Sequence, residues 1–384
     1  MLFGKKKPDK TTESGVRIVE NELGMMDQPY LLLTLLLLAI GLLMLFSASY
    51  ARAYYLTDNS ASYFTSQLLF AVVGVGAMIF ISRVPYSWYQ KYCLILYGAA
   101  VLLLLLVLVV GTNVNGATRW INFGFTQFQP SEIAKFAVIV ALAAIMSTNQ
   151  QTVRSFKTLM FCGAAVGIIA LLLILEPHFS CTIIIAFVAL TMMLIGGCNW
   201  KYLTVVIVIC GGALLFLLLS GGYTSARLTA WRNPEADPLD SGLQILQSEY
   251  AIGSGGLLGL GFGKSRQKYL YLPEEHNDYI FAIVCEELGF LGAVCILILF
   301  ALHIVRGFWI AMHARDRFSM LLAVGLTTLL AVQVILNVAV VTNLLPATGI
   351  ALPFFSSGGT ALLMQLGECG VMLNISRSIS QRPK

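Results

Sequence analysis

Along this chain, apolar residues gather in long runs separated by shorter polar or glycine- and proline-rich stretches. Ten runs fall near residues 30–50, 63–82, 92–110, 131–147, 159–175, 181–198, 203–220, 279–302, 318–342 and 359–376. Each is roughly 17–25 residues, the length an α-helix rising 1.5 Å per residue needs to cross a hydrocarbon core of about 30 Å. The pattern predicts an all-α polytopic membrane protein of about ten transmembrane helices. A polar tail over 1–27 precedes a single membrane domain over 28–377, and a short tail over 378–384 follows. The first tail has no short apolar stretch ending in small residues, as a cleaved signal would. It is expected to stay attached and cytoplasmic, and an even number of spans returns the carboxyl end to the same side.

Composition agrees: 58% of residues are hydrophobic and 11% charged, against about 45–50% and about 25% in a soluble domain. Lys and Arg concentrate in the tails and the loops assigned inside, as the positive-inside bias requires. Arg52, Arg119, Arg227, Arg232, Lys264, Arg266 and Lys268 are left outside. That bias accounts for the net charge of +5, so membrane lipid, and no nucleic acid, is the partner read from it. The eight cysteines lie in or beside apolar runs and read as packing residues with no disulfide framework.

Polar and glycine-rich residues collect in 111–129, 343–357 and above all 221–278, all expected outside. A loop as long as the last is uncommon unless functional; within it, 243–252 reads as a short helix. The three segments are expected to converge on one outward-facing site.

The run Tyr271-Leu-Pro-Glu-Glu-His-Asn-Asp278 closes the long loop before the eighth span. Asn277 or Asp278 reads as a helix N-cap. Three carboxylates and a histidine at the bilayer surface exceed what capping needs, and an ionised Asp278 is suited to take a proton from a sugar hydroxyl. Glu286 and Glu287 follow on the helix, roughly 12 Å deeper. Intramembrane carboxylates point to function; Lys135, one turn after Glu132, is their expected counter-charge, as a structural ion pair or in a direct role. Arg119 offers a donor fork suited to phosphate, beside Trp120, which also reads as an interfacial anchor. Lys264, Arg266 and Lys268 add positive charge, in a loop that is also acidic.

Two motifs are declined. Gly259-Leu-Gly-Phe-Gly-Lys-Ser265 is one residue short of a phosphate loop and follows no strand. His276 has no second histidine at metal-ligand spacing, so no zinc site is assigned; a labile magnesium or manganese held by carboxylates and substrate phosphates stays open.

Several segments together resemble the SEDS family, which includes FtsW, RodA and SpoVE. They are Gly116-Ala-Thr-Arg-Trp-Ile121, Gln129-Pro-Ser-Glu-Ile-Ala-Lys135, Glu176-Pro177, Gln247-Ser-Glu-Tyr-Ala-Ile-Gly-Ser-Gly-Gly256, Tyr271 to Phe281, Glu286-Glu-Leu-Gly289, and Thr348-Gly-Ile-Ala-Leu-Pro-Phe-Phe-Ser-Ser-Gly-Gly359. They span most of the chain in the family's order, and the run Ser265 to Glu274 is similar to the division and sporulation branch.

The resemblance implies a glycosyltransferase of the bacterial cytoplasmic membrane that polymerises lipid II into β-1,4 glycan. Its implied partners are a class B penicillin-binding transpeptidase and other divisome proteins. Asp278 falls where the family has its essential aspartate, and Trp120 where it has a functional tryptophan. Arg119, Trp120, Glu132, Lys135, Lys268, Glu274, His276 and Glu286 are the expected substrate-binding set. Glu176-Pro-His-Phe-Ser180 and Thr348 depart from the family pattern. A lipid-precursor flippase and a non-catalytic scaffold are the alternatives.

Overall fold

Each apolar run forms a helix, because lipid leaves the backbone no partner but itself. The computed structural model describes residues 24–114, 117–122, 127–148, 153–219, 223–238 and 242–379. Thus most of the two expected tails lies outside the described residues. The helices are α1 Gln28–Thr57, α2 Ser62–Ile81, α3 Ser87–Lys91, α4 Cys93–Val110, α5 Pro130–Ser147, α6 Phe156–Leu175, α7 Phe179–Ile195, α8 Trp200–Leu219, α9 Tyr223–Arg232, α10 Leu243–Gly255, α11 Ile280–His313, α12 Arg317–Val341 and α13 Gly359–Ile379. Among the described residues, seven (α1, α2, α4, α5, α6, α11 and α12) are long and apolar enough to cross a membrane, and α7 is a shorter apolar helix. The protein is a multi-pass membrane protein.

The bundle has a core and a rim. α5 and α12 are mostly buried, whereas α2, α4 and α6 leave most of their apolar surface exposed; Leu94 and Val109 on α4 are 82% and 83% exposed. Apolar side chains at such exposure suit lipid. Small residues let the core close up: a side chain at Gly325 on α12 would run into Ile139 on α5 and Met192 on α7, the close approach that drives helix association in membranes.

Contacts between loops gather one face of the bundle, here the loop face: Arg119 reaches Pro177, Ser180 reaches Thr348, Arg227 reaches Ala347, and Ser356 and Ser357 reach Asn277 and His276. Both described chain ends lie on the other. There Asp27, the N-cap of α1, receives the fork of Arg306 from α11 at 2.6 Å.

The structure differs from the all-helical expectation in one loop. Strands β1 Thr112–Val114, β2 Ala117–Asn122 and β3 Gln127–Phe128 form a small antiparallel sheet, with Thr112 opposite Trp120 and Ile121 opposite Phe128. Strands this short carry no legible period-two pattern. A second difference is a break in α11, where Gly289 has φ 68° and ψ −172°, a region essentially reserved for glycine. The loop after α10 fills the break. The amides of Leu260 and Gly261 donate to the carbonyls of Glu286 and Glu287 at 2.9 and 3.0 Å, and those of Phe290 and Leu291 donate to Gly256 and Leu257 at 2.9 and 3.2 Å. Two carbonyls and two amides freed by the break are thereby paired.

Candidate active site

The segment 271–279 is tied down from three sides. Arg52, on the last turns of α1, grips the fully buried Glu275 with two hydrogen bonds of 2.8 Å. Tyr63 on α2 packs its ring 4.7 Å from that of His276. From the segment before α13, the Ser357 amide donates to the His276 carbonyl at 2.9 Å and the Ser356 hydroxyl to the Asn277 carbonyl at 2.7 Å. Asn337 on α12 donates to the carbonyls of both Asp278 and Ile350 at 2.8 and 2.7 Å, joining two of the expected loops. Glu274 accepts from the Asn277 amide side chain at 2.6 Å.

Asp278 itself is half-buried, and among the described residues no hydrogen bond reaches its carboxylate. The expected capping role is overturned: the N-cap of α11 is Tyr279, without a side-chain cap bond. A side chain added at Gly349, which has φ +69°, would stand 3.2 Å from the Asp278 carboxylate. Burial pushes the Asp278 carboxyl up to about 6, Glu274 adding to the shift and Arg227 and Arg119 opposing it. Desolvation thus outweighs the partial positive charge at the start of α11, which favours the ionised form.

The two arginines come from opposite sides. Arg119 sits on β2 and donates to the Pro177 carbonyl in the turn between α6 and α7. Arg227 sits on α9 and donates to the Ala347 carbonyl at 2.6 Å. Trp120 is half-buried beside Arg119 on β2, where alternation sends the two side chains to opposite faces. Glu176, fully buried in that turn, is pushed up to about 8 by burial against the pull of Arg119. His178 is pushed down to about 3 by burial and by Arg119 and Lys135. Ser180 donates to the Thr348 carbonyl, so the two departures from the family pattern meet at this site.

Other expected contributors are placed elsewhere. Lys135 pairs with Glu132 on its own helix at 2.8 Å, which overturns its assignment to Glu286 and Glu287. Lys268 takes that role: its ammonium lies 3.0 Å from Glu287 and donates to Ser47 on α1 and to the Gly263 carbonyl. Glu286 accepts from the Ser265 hydroxyl and from the amides of Arg266 and Gln267 at 2.9 and 3.4 Å. Both glutamates are fully buried. Lys268 and Glu286 therefore clamp the long loop, and the cation of this loop that acts on Asp278 is Arg227. Sequence reading gave Arg227 no weight, because only the closure of the loop brings it to Asp278.

Beneath this surface lies a cavity of about 50 Å³ lined by Glu132, Gln333, Ser356, Ser357, Gln365 and Glu368, among others.

This fold has solved counterparts. A structure described as coordinating polymerization and crosslinking by a peptidoglycan synthase complex matches with TM-score 0.78 and 25% identity, over 93% of this chain and 99% of that one. The rod-shape determining protein RodA of Thermus thermophilus matches with TM-score 0.70 and 27% identity, over 93% and 98%. Stage V sporulation protein E of Bacillus subtilis is 41% identical over 91% of this chain and 97% of its own length. The probable peptidoglycan glycosyltransferase FtsW of Geobacter metallireducens is 36% identical over 93% and 96%. The family model for FtsW, RodA and SpoVE, described as cell cycle protein, matches residues 28–381. The chain belongs to this family.

Proposed function

We propose that the protein is a peptidoglycan glycosyltransferase that polymerises lipid II, with its loop face outside the bacterial cytoplasmic membrane, ten spans and both termini in the cytoplasm. The observation that carries the reading is Asp278: a half-buried carboxylate with no described hydrogen-bond partner, between two anchored arginines. In the reaction, the 4-hydroxyl oxygen of an acceptor GlcNAc bonds to the anomeric carbon of a donor MurNAc. The bond from that carbon to the pyrophosphate oxygen breaks with inversion, and the hydroxyl proton passes to Asp278. Arg119 and Arg227 stabilise the charge growing on the pyrophosphate, and Trp120 and Glu274 border the sugar. His276 and the Glu132–Lys135 pair hold the floor beneath.

A labile magnesium or manganese ion would take ligands from the substrate phosphates together with Asp278 or Glu274. The partner is a class B penicillin-binding transpeptidase, as the match to a synthase complex supports, alongside other divisome proteins. The test is polymerisation of labelled lipid II by the purified protein with its partner. Wild type should make glycan and Asp278→Asn should not. Equal rates would sink the reading, and movement of lipid II across the bilayer without polymer would replace it with a flippase.

A further inference from the structure

The loop-face cavity does not end at its floor. Gln365 and Glu368 on α13 line it and also line a second, smaller cavity of about 10 Å³ on the tail side, enclosed by Tyr30, His303, Leu326, Thr327 and Cys369. The first has room for a few waters and the second for one. Among the described residues, two side chains on the inner cavity have polar atoms with no hydrogen-bond partner: His303 at both ring nitrogens, with the residue 1% exposed, and Thr327 at its hydroxyl, 5% exposed. Buried polar atoms are ordinarily satisfied, so these point to a bound polar species.

Charge balance says what that species is. Within the bundle, Glu132 and Lys135 form an ion pair at 2.8 Å, and both act electrostatically on Glu368. Among the described residues Glu368 has no hydrogen bond or ion pair of its own. Glu176 and Arg119 lie at the loop-face end of the cluster, where they act on Cys181 and His178, and neither acts on Glu368. The other titratable groups facing the cluster are Tyr30 on α1, Cys181 on α7, His178 before it, His303 on α11 and Cys369 on α13. With the histidines neutral, none of these supplies a second positive charge. One lysine therefore faces two carboxylates, and the excess negative charge is costly away from water unless a cation neutralises it.

We propose that Glu368 binds one exchangeable proton, which reaches it from the loop face through the polar cavity that it lines beside Gln365. The step is addition of a hydron to the Glu368 carboxylate, giving a neutral carboxylic acid. A water in the inner cavity joins His303 and Thr327 to it. Toward the tail face the bundle is closed by the Asp27–Arg306 pair and by the Asp27 amide, which donates to Ser376 on α13 at 3.1 Å. The site therefore equilibrates with one side of the membrane only. It stands whether or not the glycosyltransferase reading does.

The test is infrared spectroscopy of the purified full chain in lipid nanodiscs at neutral pH. Wild type should show the carbonyl band of a protonated carboxylic acid that Glu368→Gln removes, resolved by subtraction from the band of Glu176, whose carboxyl is pushed up to about 8 and which every variant keeps. Glu132→Gln should also abolish it while Glu368 is intact, because Lys135 then has a single carboxylate to neutralise. Lys135→Met should increase the band about two-fold. The band should be unchanged when potassium is replaced by sodium. A carboxylic-acid band that is undiminished in Glu368→Gln or Glu132→Gln overturns the proposal. So does one that disappears in sodium, which would make the occupant a metal cation. Thermal melting of each variant verifies that the bundle is folded, and Glu368→Gln, which copies the neutral acid, is expected to melt with wild type.

Discussion

Asp278 and the Glu286–Glu287 pair lie within ten residues of each other and carry the same functional group, yet their surroundings are opposite. The two glutamates are saturated: backbone amides, the hydroxyls of Ser47 and Ser265, and the Lys268 ammonium share their four oxygens. Asp278 has only electrostatic company, from Arg119, Arg227 and Glu274. A carboxylate with both oxygens engaged by hydrogen bonds holds a loop and is poorly placed to take a substrate proton. One without such partners contributes little to folding and keeps its basicity. The contrast assigns structure to one group and chemistry to the other.

Crossed substitutions would break that assignment if it were wrong. Asp278→Asn should cost at least ~10²–10⁴-fold in polymerisation rate, the range for a lost general base, with the melting temperature in detergent preserved. It should even melt slightly higher at neutral pH. With its carboxyl raised to about 6 from 3.8, the folded state holds more protons than the unfolded one between those values, so wild-type stability falls as pH rises through that window.

Glu287→Gln should do the reverse. It strands Lys268, which is 3% exposed, and removing one partner of a buried pair costs about 3–5 kcal/mol, read as a lower melting temperature and loss of protein from the membrane fraction. If Glu287→Gln melts normally and is inactive, the division of labour fails.

Arg227→Lys sharpens the comparison on the other side of the site. It keeps the charge but loses the fork, and a charged hydrogen bond is worth about 1.5–3 kcal/mol, so the initial rate on lipid II should drop about 10–100-fold with the fold intact. The smallest effect is that of pH on wild type. The rate should be half-maximal near pH 6 and fall about tenfold per unit below it as Asp278 protonates, and Asp278→Asn should lose this limb of the profile.

How far the sequence could be read differs in the same two regions. Spans were legible because hydrocarbon demands unbroken apolar runs, and the observed helices begin and end close to them. Where a helix outruns its apolar run, polar side chains have found partners: α1 continues to Thr57 and carries Arg52 to Glu275, and α11 continues to His313 past Arg306, which meets Asp27. Asp278 was legible through its motif. Its neighbours were not, because pairing across a loop of this length depends on how the chain closes. Lys268 with Glu287 and Arg227 with Asp278 are pairings that no local spacing encodes. The strands of 112–128 and helix α9 were missed for a related reason, since short polar elements have no periodicity to detect.

The interruption at Gly289 also changes what counts as depth. The stretch 290–313 covers about 36 Å at 1.5 Å per residue, enough by itself for a bilayer core of about 30 Å. The turns before the break, which hold Glu286 and Glu287, are thus surplus to the crossing and can stand in the headgroup zone on a pedestal of protein. Asp278 rides on top of that pedestal, so the height at which it meets an amphiphilic donor is set by backbone pairing, whatever the thickness of the surrounding lipid.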